Sequence, residues 1–287
     1  MLHAIEAAAP VRTTWIQRHP LTAFFGWFFT VGQAFAFAPL VLDTAVPDQL
    51  FIIGSTLVGL LLPALVLTRL VDGPEALRRM LRRFVDWRVS LRWYALALLV
   101  VPAVTVGLGV LLLGAPEDVP ATLAGVFLAQ LALTLIPNNW AEEGVWSGFV
   151  QARLQRRHGP ALAAVIVAPL FALQHVSLAV GNPPILAVIL MAGLAVVAIP
   201  YRFLTGWVWN RTGSLLVLGL LHAAGNAAAP GAGFGGGGLL RHLYPADSTT
   251  VGVFHLLAFV IIGLVVVAVT KGRLGLPTTT TTKEHTK

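Results

Sequence analysis

Glu142 and Glu143 stand side by side in an apolar stretch, while the chain's other Asp and Glu fall at the termini or between apolar runs. A carboxylate in a membrane helix costs several kcal/mol unless it is neutralised, paired or exposed to a water-filled cavity. Two adjacent carboxylates in low dielectric also resist ionising together, and a carboxylate poised that way suits general acid–base work. Successive helix residues point about 100° apart, so one acid can face a bundle interior while the other leans to its flank. Their bland alternative is a hydrated pair at a helix end that answers Arg153.

Two further groups are candidates. Phe171-Ala-Leu-Gln-His175 puts a ring and an imidazole at i and i+4, on one helix face. His222-Ala-Ala-Gly-Asn226 puts an imidazole and a carboxamide together in the same way, with small residues between them that let backbones approach. Two such donors converging on one point can stabilise an oxyanion. Alone, each reads as a polar residue linking helices, and His255, with no polar neighbour at helical spacing, keeps that reading. Together, acid, imidazoles and amide are the parts needed to activate a water and hold a tetrahedral intermediate.

The elements that must position them are membrane helices. The 287 residues are 57% hydrophobic and 11% charged, with a mean hydropathy of +0.82; soluble domains carry roughly 25% charged residues. The expected fold is all-α, a polytopic bundle of about eight spans at 21–42, 49–70, 93–114, 120–141, 160–180, 184–205, 213–229 and 250–270, the fourth continuing as helix to about 156. No cysteine is present, which removes disulfides and thiolate ligands. The first nineteen residues lack the apolar core of a cleavable secretion signal.

Charge sets the topology. Eighteen of the nineteen Lys and Arg fall in the N-terminus, the tail and alternate connections, where Arg202 and Arg211 are assigned to one such connection, and only Arg241 lies opposite. The positive-inside rule then places both termini in the cytoplasm, as an even number of spans requires. The net charge of +7 follows this topology, so no nucleic-acid partner is expected.

The organisation expected is a cytoplasmic segment at 1–20 and three spans over 21–114, carrying a basic amphipathic cytoplasmic segment at 74–92. A core at 120–229, a Gly-rich external loop at 230–249, a last span at 250–270 and a disordered cytoplasmic tail at 271–287 follow. The segment 74–92 reads equally as a helix on anionic headgroups or as a loop that only fixes topology.

The order EE…FxxxH…HxxxN resembles the CAAX-protease and bacteriocin-processing family of intramembrane peptidases, also called the Abi family, from about Pro120 to Ala229. The segment Gly206–Ser214 is also similar to that family's. The resemblance implies a multi-pass protein of the cell membrane, with the bilayer and a membrane-tethered protein or peptide substrate as partners. It implies Glu142 as general base with His175, His222 and Asn226 on the oxyanion, and Glu143 orienting or tuning Glu142, with no cofactor. The alternative it carries is a metallopeptidase holding Zn²⁺ on Glu142, His175 and His222. The family's first motif usually reads EExxxR, and here Ser147 stands at the Arg position, so Arg202 or Arg153 would have to substitute. A non-catalytic scaffold or immunity member, and a proton- or cation-coupled transporter, are the other readings. With the acids at the cytoplasmic end of the fourth span, the scissile bond is expected to enter from the cytoplasm or the inner leaflet.

Overall fold

The computed structural model describes residues 14–229, 237–245 and 248–277. Expectations for the first thirteen residues, for most of the glycine run and for the tail beyond Pro277 lie outside them. The fold is all-helical, with no strand among the described residues. In chain order the helices are α1 (Trp15–Arg18), α2 (Pro20–Val41), α3 (Asp48–Asp72), α4 (Pro74–Phe84), α5 (Leu91–Leu113) and α6 (Leu123–His158). They continue as α7 (Pro160–Leu173), α8 (Pro184–Thr212), α9 (Leu215–Ala228), α10 (Leu239–Leu243) and α11 (Ser248–Val269).

Six helices, α2, α3, α5, α6, α8 and α11, are long and apolar enough to cross a bilayer. The expectation of eight is not met on length, because α7 and α9 have only 14 residues each. At 1.5 Å per residue that is about 21 Å, short of a hydrocarbon core of about 30 Å. Both short helices are walled by longer ones: α7 packs on α8, and α9 packs on α5, α6 and α8. These short helices bring in the histidines, His175 just beyond the end of α7 and His222 within α9.

Local sequence explains the element ends. Gly73 and Gly159, at φ +87 and +74, are followed by Pro74 and Pro160, so each pair turns the chain and starts a new helix. Gly213 caps α8 in the left-handed conformation, and the Ser214 hydroxyl accepts from the Val217 N–H to start α9. Helix α4 ends at Phe84, short of the expected 92, and it docks on protein: Met80 is buried and accepts from Thr68, while Arg83 stacks on Trp209.

Helices α2 and α3 meet backbone to backbone at Gly32 and Gly59, both buried. A Cβ at Gly59 would run into the Cα of Gly32. Gly59→Leu should therefore destabilise the protein by about 1–3 kcal/mol, the range for overpacking, read as a lower thermal-unfolding midpoint in detergent.

Candidate active site

Helix α6 supplies the acids, and it is broken just before them. Pro137 lies inside it, Ile136 leaves helical geometry at φ −113 and ψ 120, and the break turns Asn138 and Asn139 into the bundle, both buried. Glu142 and Glu143 follow in the first turn after the break, an end of a helical segment where negative charge is favoured.

The two acids go different ways. Glu143 is fully buried and saturated with donors. Arg202 on α8 reaches it with both terminal nitrogens, Nη2 to Oε1 at 2.7 Å and Nη1 to Oε2 at 3.3 Å. The Tyr201 hydroxyl donates to Oε1 at 2.8 Å and the Ser147 hydroxyl to Oε2 at 2.6 Å. Neither side chain of the Arg202–Glu143 pair has any solvent exposure.

Glu142 instead lines a cavity of about 560 Å³, together with Asn138, Asn139, His175, His222 and Asn226. Its Oε1 accepts from the Gln174 side-chain amide at 2.6 Å, and Gln174 Oε1 in turn accepts from the Trp146 indole at 2.5 Å. Its Oε2 lies 3.7 Å from His222 Nδ1. That nitrogen is also 3.1 Å from Glu143 Oε1, close enough for ionic contact but off-line for a hydrogen bond. With Nδ1 turned to the acids, any donor His222 offers to a bound molecule is Nε2.

His175 follows the end of α7, where Nδ1 lies 3.1 Å from the Phe171 carbonyl oxygen and the two rings meet edge-to-face at 5.1 Å. The i, i+4 spacing read from sequence is thus used for a backbone contact that orients the imidazole. Asn226, on the face of α9 shared with His222, donates to Asn139 Oδ1 at 3.1 Å. The structure therefore brings Glu142, His175, His222 and Asn226 to one cavity and sets Glu143 behind it. His255 lies apart, with Nδ1 3.3 Å from the Thr105 hydroxyl on α5.

Arg202 required a correction. It is not in a connection, as the charge pattern had it, because α8 runs seven residues past 205 and carries Arg202 fully buried within it. Of the two arginines considered for the part vacated at Ser147, Arg202 meets the glutamate, while Arg153 pairs with Asp72. Gln174, Tyr201 and Asn139 were not singled out from sequence. Gln174 is adjacent to His175, and Tyr201-Arg202 are polar residues in an apolar helix, which is a usable signal. Asn139 carries no spacing signal, because the break that aims it inward is a matter of backbone geometry.

A metal was the other expectation to examine. Among the described residues no group of three His, Cys, Asp or Glu side chains is arranged to hold a metal ion.

The buried pair makes a measurable claim. Removing one partner of such a pair typically costs 3–5 kcal/mol, because the other charge is left buried and alone. Arg202→Met should therefore lower the unfolding midpoint strongly. Adding Glu143→Gln to it should recover much of the loss, and a double-mutant cycle in detergent measures the coupling.

No curated protein matches the chain. A family model does, over residues 124–228, described as type II CAAX prenyl endopeptidase, Rce1-like. That interval holds every side chain of the cavity's acid, imidazole and amide set as well as the Arg202–Glu143 pair. Residues 124–228 of this multi-pass chain are thus similar to the Rce1-like type II CAAX prenyl endopeptidases.

Proposed function

We propose that the chain is an intramembrane endopeptidase of the cell membrane that hydrolyses a peptide bond of a membrane-associated protein or peptide through a water activated by Glu142. The observation that carries this is the division of labour between adjacent acids. Glu143 is fully consumed by Arg202, Tyr201 and Ser147, whereas Glu142 faces the cavity with one oxygen held by Gln174. That leaves Oε2 of Glu142 to take a proton.

The steps balance with these residues alone. A water between Glu142 and His175 gives its proton to Glu142 Oε2, and its oxygen adds to the scissile carbonyl carbon. His222 Nε2 and the Asn226 amide donate to the resulting oxyanion. Collapse breaks the C–N bond, and the proton held by Glu142 passes to the leaving amine. Glu143 stays ionised throughout, because its guanidinium partner is fixed, and acts as a positioning residue for Glu142 and His222. Ser147 does not weaken the reading, since Arg202 brings a guanidinium to the same carboxylate that the family's usual arginine, one turn on, could pair.

The test is cleavage of a membrane-tethered peptide by purified protein in detergent. Glu142→Gln and His175→Ala should each lower kcat by about 10²–10⁴, the range for general-base catalysis, with unfolding midpoints near that of the parent. Asn226→Ala should cost about 10²–10³ in kcat, as loss of one oxyanion donor does. A strong chelator should leave the rate unchanged. Normal cleavage by both Glu142→Gln and His175→Ala would sink the mechanism.

A further inference from the structure

The arginines gather at one end of the bundle and the catalytic cavity opens at the other. Three clefts line the arginine end. One joins Arg18 to Val71, Arg153 and Arg157, a second joins Arg79 and Arg83 to Arg156 and Trp209, and a third joins Arg92 to Arg211 and Arg273. The ends of α2, α3, α5, α6, α8 and α11 that carry basic residues are therefore on one side.

The cavity around Glu142 is lined at its mouth by the opposite ends. Pro39 and Leu40 close α2, Asp48 and Gln49 open α3, and Ser177 and Leu178 follow α7. Among the described residues no Lys or Arg lines it. In sequence, the connections on this side carry Asp43, Asp48, Glu117, Asp118 and Asp247, against Arg241 alone. Tyr244 fastens this end by donating to the Gly114 carbonyl oxygen at 3.0 Å. Withdrawing the buried Arg202 from the loop tally leaves this asymmetry intact. Arginine-rich connections stay in the cytoplasm, so the mouth faces away from it. The cavity extends from the acids on α6 toward the α2–α3 connection, which sets this reading against the entry from the cytoplasm expected from the position of the acids.

An apolar groove of about 350 Å³ joins the cavity at His175 and Leu178, walled by Ile189, Leu190, Met191 and Leu194 of α8 and by Leu256 of α11. At 1.5 Å per residue these α8 residues lie roughly 8–15 Å from the mouth-side end of that helix, the depth of the outer leaflet's acyl chains. Ile185, Val188 and Ile189 on the same stretch are exposed, and so face lipid.

We propose that the substrate is a polypeptide presented from the non-cytoplasmic side. Its scissile bond reaches Glu142 through the mouth between the α2–α3 connection and the segment after α7, and the apolar side chains beside that bond settle in the groove. This rests on the peptidase reading and narrows its substrate to an exported or outer-leaflet-anchored segment, distinct from a protein tail in the cytoplasm.

The absence of native cysteine makes the test direct. Glu117→Cys, in the α5–α6 connection, and Arg157→Cys are made separately, both at exposed positions that line neither the cavity nor the groove. Spheroplasts are treated with a membrane-impermeant maleimide before and after permeabilisation. Glu117→Cys should label in intact spheroplasts, and Arg157→Cys only once the membrane is opened. The reverse pattern overturns the proposal. The Glu117→Cys protein is then reconstituted in liposomes, the same reagent reports its orientation, and a tethered peptide is added outside. Cleavage should track the fraction with Glu117 outward and be lost in Glu142→Gln. Cleavage that tracks the opposite fraction overturns the proposal. Cleavage by neither overturns the peptidase reading and the substrate with it, while the labelling still fixes the side of the mouth.

Discussion

One buried ion pair organises this site. Arg202 and Glu143 are both removed entirely from solvent, in a bundle whose outer surface faces hydrocarbon. Desolvating two charges costs several kcal/mol each and is offset only when geometry is good and the remaining hydrogen-bonding groups are met. Here the carboxylate is met four times, by two guanidinium nitrogens, a phenol and a serine hydroxyl. With Glu143 so committed, Glu142 is the acid left facing the cavity. The same commitment ties α6 to α8, so Glu142 is held relative to the helix that follows His175.

The rings around the guanidinium complete the arrangement. Its Cζ lies 4.5 Å from the Phe171 ring centroid and 4.6 Å from that of Tyr201, so a cation in low dielectric rests on two aromatic faces. Among the described residues Arg202 Nε has no hydrogen-bond partner, and these faces offset part of what that costs. The phenylalanine of the second motif thus has two tasks. Its ring covers Arg202, and its carbonyl oxygen sits on His175 Nδ1.

Much of this was legible before any coordinates. Composition gave the membrane bundle, and the three motifs taken together gave the residues that share the cavity, because charge and amide groups are rare in apolar helices. What the sequence hid has identifiable causes. Helices α7 and α9 read as full spans because the hydropathy of their flanks continues past their ends, whereas the helices themselves end at Leu173 and Ala228. Arg202 read as a loop residue because the charge tally assigned it with Arg211 to one connection, although it lies inside the expected span 184–205 and the helix runs on to Thr212. Gln174 was in plain view within the second motif, but its partners, Glu142 and Trp146, lie on another helix and about thirty positions away.

The short helices and the break in α6 explain why the site sits where it does. A helix that ends inside a bundle leaves backbone groups and space that lipid cannot fill, and such irregular structure is tolerated only where protein or a water-accessible cavity covers it. The end of α7 meets that condition through Gln33 on α2, whose side-chain amide lies 3.5 Å from the Leu173 carbonyl oxygen and 3.4 Å from that of Gln174. The end of α9 meets it through Asn226 and the broken stretch of α6, where Asn139 accepts the amide. Short helices on two sides and a break in a third open one polar volume within an otherwise apolar bundle. The carboxylate turned into that volume is the one that the buried arginine does not hold.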